Sequence, residues 1–346
     1  MARNYFSLDI GESFIKIADV ERTGDVFKIV NLGIFPTNKL FFNSNLEKVN
    51  IEQAAKLAEY IRKLKITKTK VNLIIPDSSS YNQIVEMPRL NEKELLSAIK
   101  YQADQFIPMP IDDVSLDIEI LLEKKTEKKI LTFISAASKK VVEKMQMTLE
   151  YVGLEIDSIE TESSATGRFL SEIYKNTNLG PDNKNSGFLF INIGYTTTSL
   201  YFFDLTLKLI TQIHNFFIGY HIFLEEIQVN LNKDETSVIE LLRTFNTDDP
   251  KSEELKPILS AAIKDFLFQI QRFQNLLYEQ HKVNISTMYL FNEIFRFPGF
   301  RKVIEDKFKI STQLVNLTSI VKGENIPPYL EKDIGYFLPS LGGNFR

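Results

Sequence analysis

The chain opens with apolar and polar positions alternating in short runs. Tyr5 to Ile10 reads as a strand, broken at Gly11-Glu12-Ser13. Phe14 to Val20 follows as a second, and Arg22-Thr23-Gly24-Asp25 turns into a third, Val26 to Phe35, ending at Pro36. Three β-rich runs joined by tight turns predict a meander. The period then changes: Ala54, Ala55, Leu57, Ala58, Ile61 and Leu64 form one stripe of a helix over Ile51–Leu64, with Asn50 as its N-cap. Val71 to Ile75 is a short buried strand closed by Pro76.

A second pattern begins at Ile84-Val85-Glu86-Met87-Pro88. Asn91 with Glu94 makes a capping box for a helix to about Gln105, and Phe106-Ile107-Pro108-Met109-Pro110 breaks it. Strands over Val114–Leu122 and Ile130–Ala136 follow, then a helix from Ser138 to the C-capping Gly153. This αββα piece reads as an inserted subdomain. Glu162–Tyr174 is a helix, and residues 176–186 are loop-like, which places a boundary there. Beyond it come strands Gly187–Ile193 and Thr198–Phe203, helices across Tyr220–Glu279, strand Thr287–Phe291, helix Gly299–Phe308, strand Ser311–Leu317 and a last helix over Glu331–Phe337.

Composition narrows the function classes. A chain of 346 residues predicts two domains. Net charge −4 supplies no basic footprint for nucleic acid. The absence of cysteine excludes disulfides, thiolate zinc sites and a Cys nucleophile, and His214, His221 and His281 are too scattered for a metal site. No run of 18 apolar residues and no apolar leader occurs, so the expectation is a cytoplasmic protein without membrane insertion.

The candidate chemistry lies in an internal echo. Phe6-Ser7-Leu8-Asp9-Ile10-Gly11-Glu12-Ser13-Phe14-Ile15-Lys16 parallels Phe190-Ile191-Asn192-Ile193-Gly194-Tyr195-Thr196-Thr197-Thr198. Each is a strand, a polar residue, Ile, Gly, a short polar turn and a second strand. Such hairpins point backbone N–H groups outward as a nest for phosphate, and Gly11 and Gly194 let the ligand approach closely. Ser13, Thr196 and Thr197 supply hydroxyls, Lys16 a positive charge, and Asp9 a carboxylate for hydrated Mg²⁺. A pair of these hairpins, one per lobe, is the clamp of the actin, hexokinase and Hsp70 superfamily.

Leu8-Asp9-Ile10-Gly11-Glu12-Ser13-Phe14-Ile15-Lys16 also resembles the opening of PilM-type pilus assembly proteins, relatives of FtsA. Val85-Glu86-Met87-Pro88, Glu92-Lys93-Glu94-Leu95 and the run Ala98 to Pro108 resemble that family's insert, and Asp117 matches an acidic residue of its next strand. The resemblance implies an α/β, two-lobed actin-like (ribonuclease H-like) fold with an inserted α+β subdomain in the first lobe. The implied domains are 1–76 (first lobe), 77–160 (insert), 161–186 (return and linker), 187–330 (second lobe, helical over about 220–280) and 331–346 (C-terminal helix and tail). It implies a cytoplasmic adaptor of a type IV pilus or type II secretion-like platform, peripheral to the inner membrane. Its partners would be the cytoplasmic N-terminal tail of a PilN-like bitopic protein and other platform proteins, with homo-oligomerisation left open. Ile107 and Met109 are candidate partner contacts; their alternative reading is core packing under the Pro108–Pro110 break.

Departures from the family pattern concern ATP and Mg²⁺. The second-loop acidic residue is Asn192, which keeps hydrogen bonds but no charge. The adenosine-binding glycines are replaced in Leu290-Phe291-Asn292-Glu293-Ile294, and a Gly-Gly pair reads Gly219-Tyr220. Glycine is 14 of 346 residues, low for a fold that clasps nucleotide with glycine loops. Glu162 matches the residue that orients the attacking water in active relatives; from the residues alone it is a helix-start carboxylate. The expectation is an adaptor with a weakened or lost ATP site, the alternative being an ATP-binding protein or slow ATPase, because Asp9, Gly11, Ser13 and Lys16 are intact.

Overall fold

Phe6, Leu8 and Ile10 alternate with Ser7 and Asp9 along the first strand, and all five are fully covered. A strand buried on both faces needs a layer on each side. The computed structural model, which describes residues 4–23, 26–90, 92–101, 107, 109–177, 185–323 and 326–346, supplies those layers. The chain folds as two units: Met1–Ile173 with Ile320–Pro328 and Pro339–Arg346, and Tyr174–Ser319 with Tyr329–Leu338.

In the first unit lie β1 (Tyr5–Ile10), β2 (Phe14–Thr23), β3 (Val26–Pro36), β4 (Lys70–Ile75), β5 (Ser80–Pro88), β6 (Val114–Lys124), β7 (Lys129–Ser138) and β8 (Glu155–Thr161). The second holds β9 (Ser186–Ile193), β10 (Thr198–Asp204), β11 (Leu209–Phe216), β12 (Asn284–Asn292) and β13 (Thr312–Leu314). β14 (Val321–Lys322) returns to the first unit beside β3. The sheet orders are β14-β3-β2-β1-β4-β8 and β11-β10-β9-β12-β13. From β3 to β8 and from β11 to β13 the plan is the same: an antiparallel meander whose first strand runs parallel to two later strands. The sequence echo is thus a topological duplication of a ribonuclease H-like sheet.

The two echoed turns close alike. Gly11 N donates to Phe14 O at 3.0 Å and Gly194 N to Thr197 O at 2.8 Å. A Cβ on Gly11 would lie 3.0 Å from the Phe14 carbonyl oxygen, and one on Gly194 2.8 Å from that of Thr197. Close approach, rather than unusual backbone angles, selects glycine here.

Between β4 and β8 the chain builds a separate sheet of order β5-β7-β6. The αββα expectation is corrected in two respects. A strand, β5, precedes the first helix (Glu92–Tyr101), and the closing helix Lys139–Val152 belongs to the main core, where Val142, Met145 and Leu149 pack with Phe6, Leu8 and Leu57. Gly153 caps that helix at φ +78° as expected. The capping-box residue Asn91 and the helix end at Gln105 lie outside the described residues. The first long helix starts at Glu47 behind Leu46, so Asn50 is a buried interior residue rather than its cap.

The tail also differs from the expected 331–346 segment. Residues 329–338 serve the second unit and 339–346 the first. Asn344 explains the return: its Nδ2 donates to the Ala18 carbonyl at 3.1 Å and its Oδ1 accepts from Val20 N at 3.2 Å, so a side chain satisfies buried backbone groups of β2. The Phe345 ring then meets Phe27 edge-on and stacks on Phe169. Replacing Asn344 by Ala orphans those groups and should cost about 1–3 kcal/mol in urea unfolding, with the m-value unchanged. A loss below a few tenths would show that water replaces the amide.

Candidate functional site

At the end of β1, the register sets Asp9 directly opposite Lys16 on β2. Their side chains, 0% and 3% exposed, form an ion pair at 3.1 Å. Lys16 is therefore committed to Asp9. Burial pushes the Asp9 carboxyl up from its ordinary range against the pull of Lys16, and the Ser340 hydroxyl favours its charged form without closing to a hydrogen bond. Asp9 Oδ1 and Ser13 Oγ, both on this hairpin, are buried without a hydrogen-bond partner among the described residues.

Two more carboxylates from other elements stand near this pair. Asp77, just past β4, accepts from Ser163 Oγ at 2.7 Å and Asn82 Nδ2 at 3.1 Å. Glu162, the first residue of the helix Glu162–Tyr174, accepts from Asp77 N at 3.1 Å. Burial, and then the negative charges of Asp9 and Asp77, push Glu162 up to about 8.

In the second unit the equivalent position carries no charge. Asn192, at the end of β9 and 2% exposed, accepts from Asn292 Nδ2 at 2.9 Å and donates to the Tyr201 hydroxyl at 3.4 Å. The turn Gly194–Thr197 sits on the start of the helix Tyr220–Leu231: Tyr220 N donates to Gly194 O and His221 N to Tyr195 O, both at 2.9 Å. Gly219 permits this approach, since a Cβ there would meet the Tyr195 carbonyl oxygen at 2.3 Å. Thr197 is buried and Thr196 half-buried in the same turn.

Asn292 has φ +70° and ψ −129°, a conformation that glycine adopts readily and side chains rarely do. The backbone thus keeps a glycine-like turn where an amide now stands. The next residue, Glu293, is 3% exposed and bonds Arg296 at 3.1 Å, whose guanidinium lies 4.4 Å over the Tyr220 ring. Burial raises the Tyr220 and Tyr336 hydroxyls, which keeps both neutral beside this pair.

Ile107 is 3% exposed and packs with Val114 and Ala136, with Met109 partly buried against them. Both residues sit under the insert sheet, the core-packing arrangement. The opening within the first unit is elsewhere: a groove of about 670 Å³ between β6 and β8. Asp117 and Glu119 line it from β6, Ile159 and Glu160 from β8, with Arg168 and Phe345 beside them. Each strand is the outer member of its sheet and has one neighbour among the described residues. Glu160 is held by Arg168 at 2.6 Å and Asn72 at 2.6 Å, and the Ile159 carbonyl accepts from Arg346 at 3.1 Å. Asp117 and Glu119 have no ion pair among the described residues. Asp117 is among the residues that carry the family resemblance, and the alternation Ser115-Asp117-Glu119 on one strand face is the further signal for this wall.

Among the described residues no helix is long and apolar enough to cross a membrane, and no group of three or more His, Cys, Asp or Glu could hold a metal. Two duplicated sheets, each with a hairpin at the end of its central strand, define the actin-like class. Among solved structures, this chain is similar to a PilM–PilN type IV pilus biogenesis complex (TM-score 0.83, 18% identity, covering 100% of this chain and 99% of that one). It is also similar to the ethanolamine utilization protein EutJ from Carboxydothermus hydrogenoformans (TM-score 0.52, 10% identity, covering 98% and 88%). The family model for type IV pilus assembly protein PilM matches residues 7–342, and the chain belongs to that family.

The folded-state pKa of Glu162 sets a pH dependence. Below pH 4.5 folded and unfolded chains both carry its proton; as pH rises toward 8 the unfolded chain releases it and the folded one does not, so stability is lost. Glu162→Gln stays neutral and keeps an acceptor for the Asp77 amide. Urea unfolding at about pH 5 and about pH 8.5 should show a smaller loss for the variant than for the unaltered chain. Equal losses would place the ionisation elsewhere.

Proposed function

We propose that this chain is an adaptor of a type IV pilus assembly platform, holding the cytoplasmic N-terminal tail of a PilN-like bitopic protein in the groove between β6 and β8. The observation that carries this reading is a pair of open strand edges lining one groove. An extended peptide entering there adds main-chain hydrogen bonds to an edge, and alternate side chains reach the walls. Cytoplasmic flanks of membrane helices are rich in Lys and Arg, and the exposed acids Asp117 and Glu119 complement that chemistry. The family membership and the structural similarity to a PilM–PilN complex favour the same partner. Through such a tail the chain would be held at the inner membrane from the cytoplasmic side.

The residues do not fit ATP and Mg²⁺ well. Lys16 is spent on Asp9, and the amides opening the helix at Tyr220 are spent on the Gly194–Thr197 turn. Asn192 brings no charge to a metal, and Glu293, Arg296 and Tyr220 fill one another's contacts where bare backbone should face a nucleotide. We therefore assign the weakened-site reading to this chain. A slow ATPase is the second reading, favoured by Asp9 Oδ1 and Ser13 Oγ on one glycine hairpin, which have no hydrogen-bond partner among the described residues.

The test is fluorescence anisotropy with a labelled peptide of the N-terminal tail of the PilN-like protein encoded alongside. Saturable binding is expected, weakened about tenfold or more when Asp117 and Glu119 are both changed to Lys. Undiminished binding to that variant would remove the groove from the proposal.

A further inference from the structure

The second unit carries a groove that neither the hairpins nor the tail-binding reading uses. It lies between the 22-residue helix Leu255–Leu276 and the helix Phe300–Phe308, which meet beneath it through Phe266 and Phe300 with ring centroids 4.9 Å apart. Its volume is about 620 Å³. Phe245, Ile263, Leu267, Phe268 and Val303 supply an apolar floor and wall. Phe268 is 58% exposed, although it lies in the middle of the longest helix. An amphipathic helix with a covered core stripe would place a polar residue there.

The rim is cationic. Lys256, Lys264 and Lys307 line the groove against one acid, Asp265. Lys256 is answered by Glu253 at 2.5 Å, whereas Lys264 and Lys307 have no ion pair among the described residues. Lys264 and Phe268 are four residues apart, as are Val303 and Lys307, so each helix presents a cation and an apolar side chain on one face. Such a basic rim, on a chain whose formal charge is −4, is a local inversion of sign. The Thr247 hydroxyl at the groove wall is buried without a partner among the described residues.

We infer that this groove docks an acidic amphipathic helix of a partner protein, with apolar residues at three- and four-residue steps over Phe268 and Val303 and carboxylates on Lys264 and Lys307. Two packed helices with an apolar floor are a seat for a third helix, and the unanswered lysines decide its charge. A lipid surface is disfavoured because the apolar residues line a recess between the helices. This inference concerns a second binding surface and does not depend on the β6–β8 groove.

The experiment is selection of a displayed library of short random peptides against the full chain, with counter-selection on Phe268→Asp and on Lys264→Glu/Lys307→Glu. All proteins are checked by thermal melting, and the exposed positions should leave folding intact. Enriched peptides are expected to combine Glu or Asp with apolar residues at helical spacing. They should lose about tenfold or more in affinity on either variant and weaken with added salt. Enrichment of basic or uncharged peptides, or equal binding to both variants, would overturn the inference. So would an absence of enriched binders. Two further results would also overturn it: co-sedimentation with anionic phosphatidylserine vesicles that Phe268→Asp abolishes, which assigns the face to lipid, or self-association that the same change abolishes, which assigns it to a second copy.

Discussion

An ammonium and a carboxylate shut away from water at the end of β1 set the conditions for everything around them. Each would cost several kcal/mol to bury alone, so neither can leave without the other. The Asp9–Lys16 pair therefore holds β1 to β2 at the turn, and the nearby carboxyls share the pull of that one cation. Glu162 is the outcome: with one ammonium serving a group of carboxyls, it keeps its proton to about pH 8. A carboxyl that keeps its proton near neutral pH is a poor acceptor of a further proton there.

The second unit solves the equivalent problem differently. Its sheet repeats the order and direction of the first, but Asn192 stands where the first unit has Asp9, Ser199 faces it across the hairpin, and Asn292 of the neighbouring strand donates to it. Neutral groups cost less to bury and satisfy each other in one hydrogen bond. The turn at Asn292 preserves a glycine-like backbone, so the change is one of side-chain chemistry on an unchanged chain path. The duplicated framework is thus kept in both units, and the first unit adds the insert sheet β5-β7-β6 to it.

Much of the fold was legible because its signals are local. The glycine turns at Gly11 and Gly194, the helix Glu162–Tyr174 and the cap at Gly153 follow from period and turn chemistry within a few residues. β11 escaped notice because Thr211, Gln212, His214 and Asn215 interrupt its apolar positions, and those residues are half-buried rather than core. The return of the tail could not be read either, since Asn344 contacts Ala18 and Val20 across more than 300 residues. The candidate site was legible as a set of residue types. Whether Lys16 reaches outward or to Asp9 depends on strand register, which sequence did not determine. Ile107 shows the same limit: an apolar residue at a proline break suits a surface contact or a core equally until the sheet above it is known.

On the proposed reading, nucleotide is dispensable to the partner-holding role. Isothermal titration of the full chain with Mg-ATP up to about millimolar concentration tests this most directly, since even a weak site of that strength, worth about −4 kcal/mol, gives a saturable heat. No saturable binding is expected over that range. Micromolar, Mg²⁺-dependent binding abolished by Asp9→Ala would contradict it, and would mean that the Asp9–Lys16 pair opens to admit a ligand.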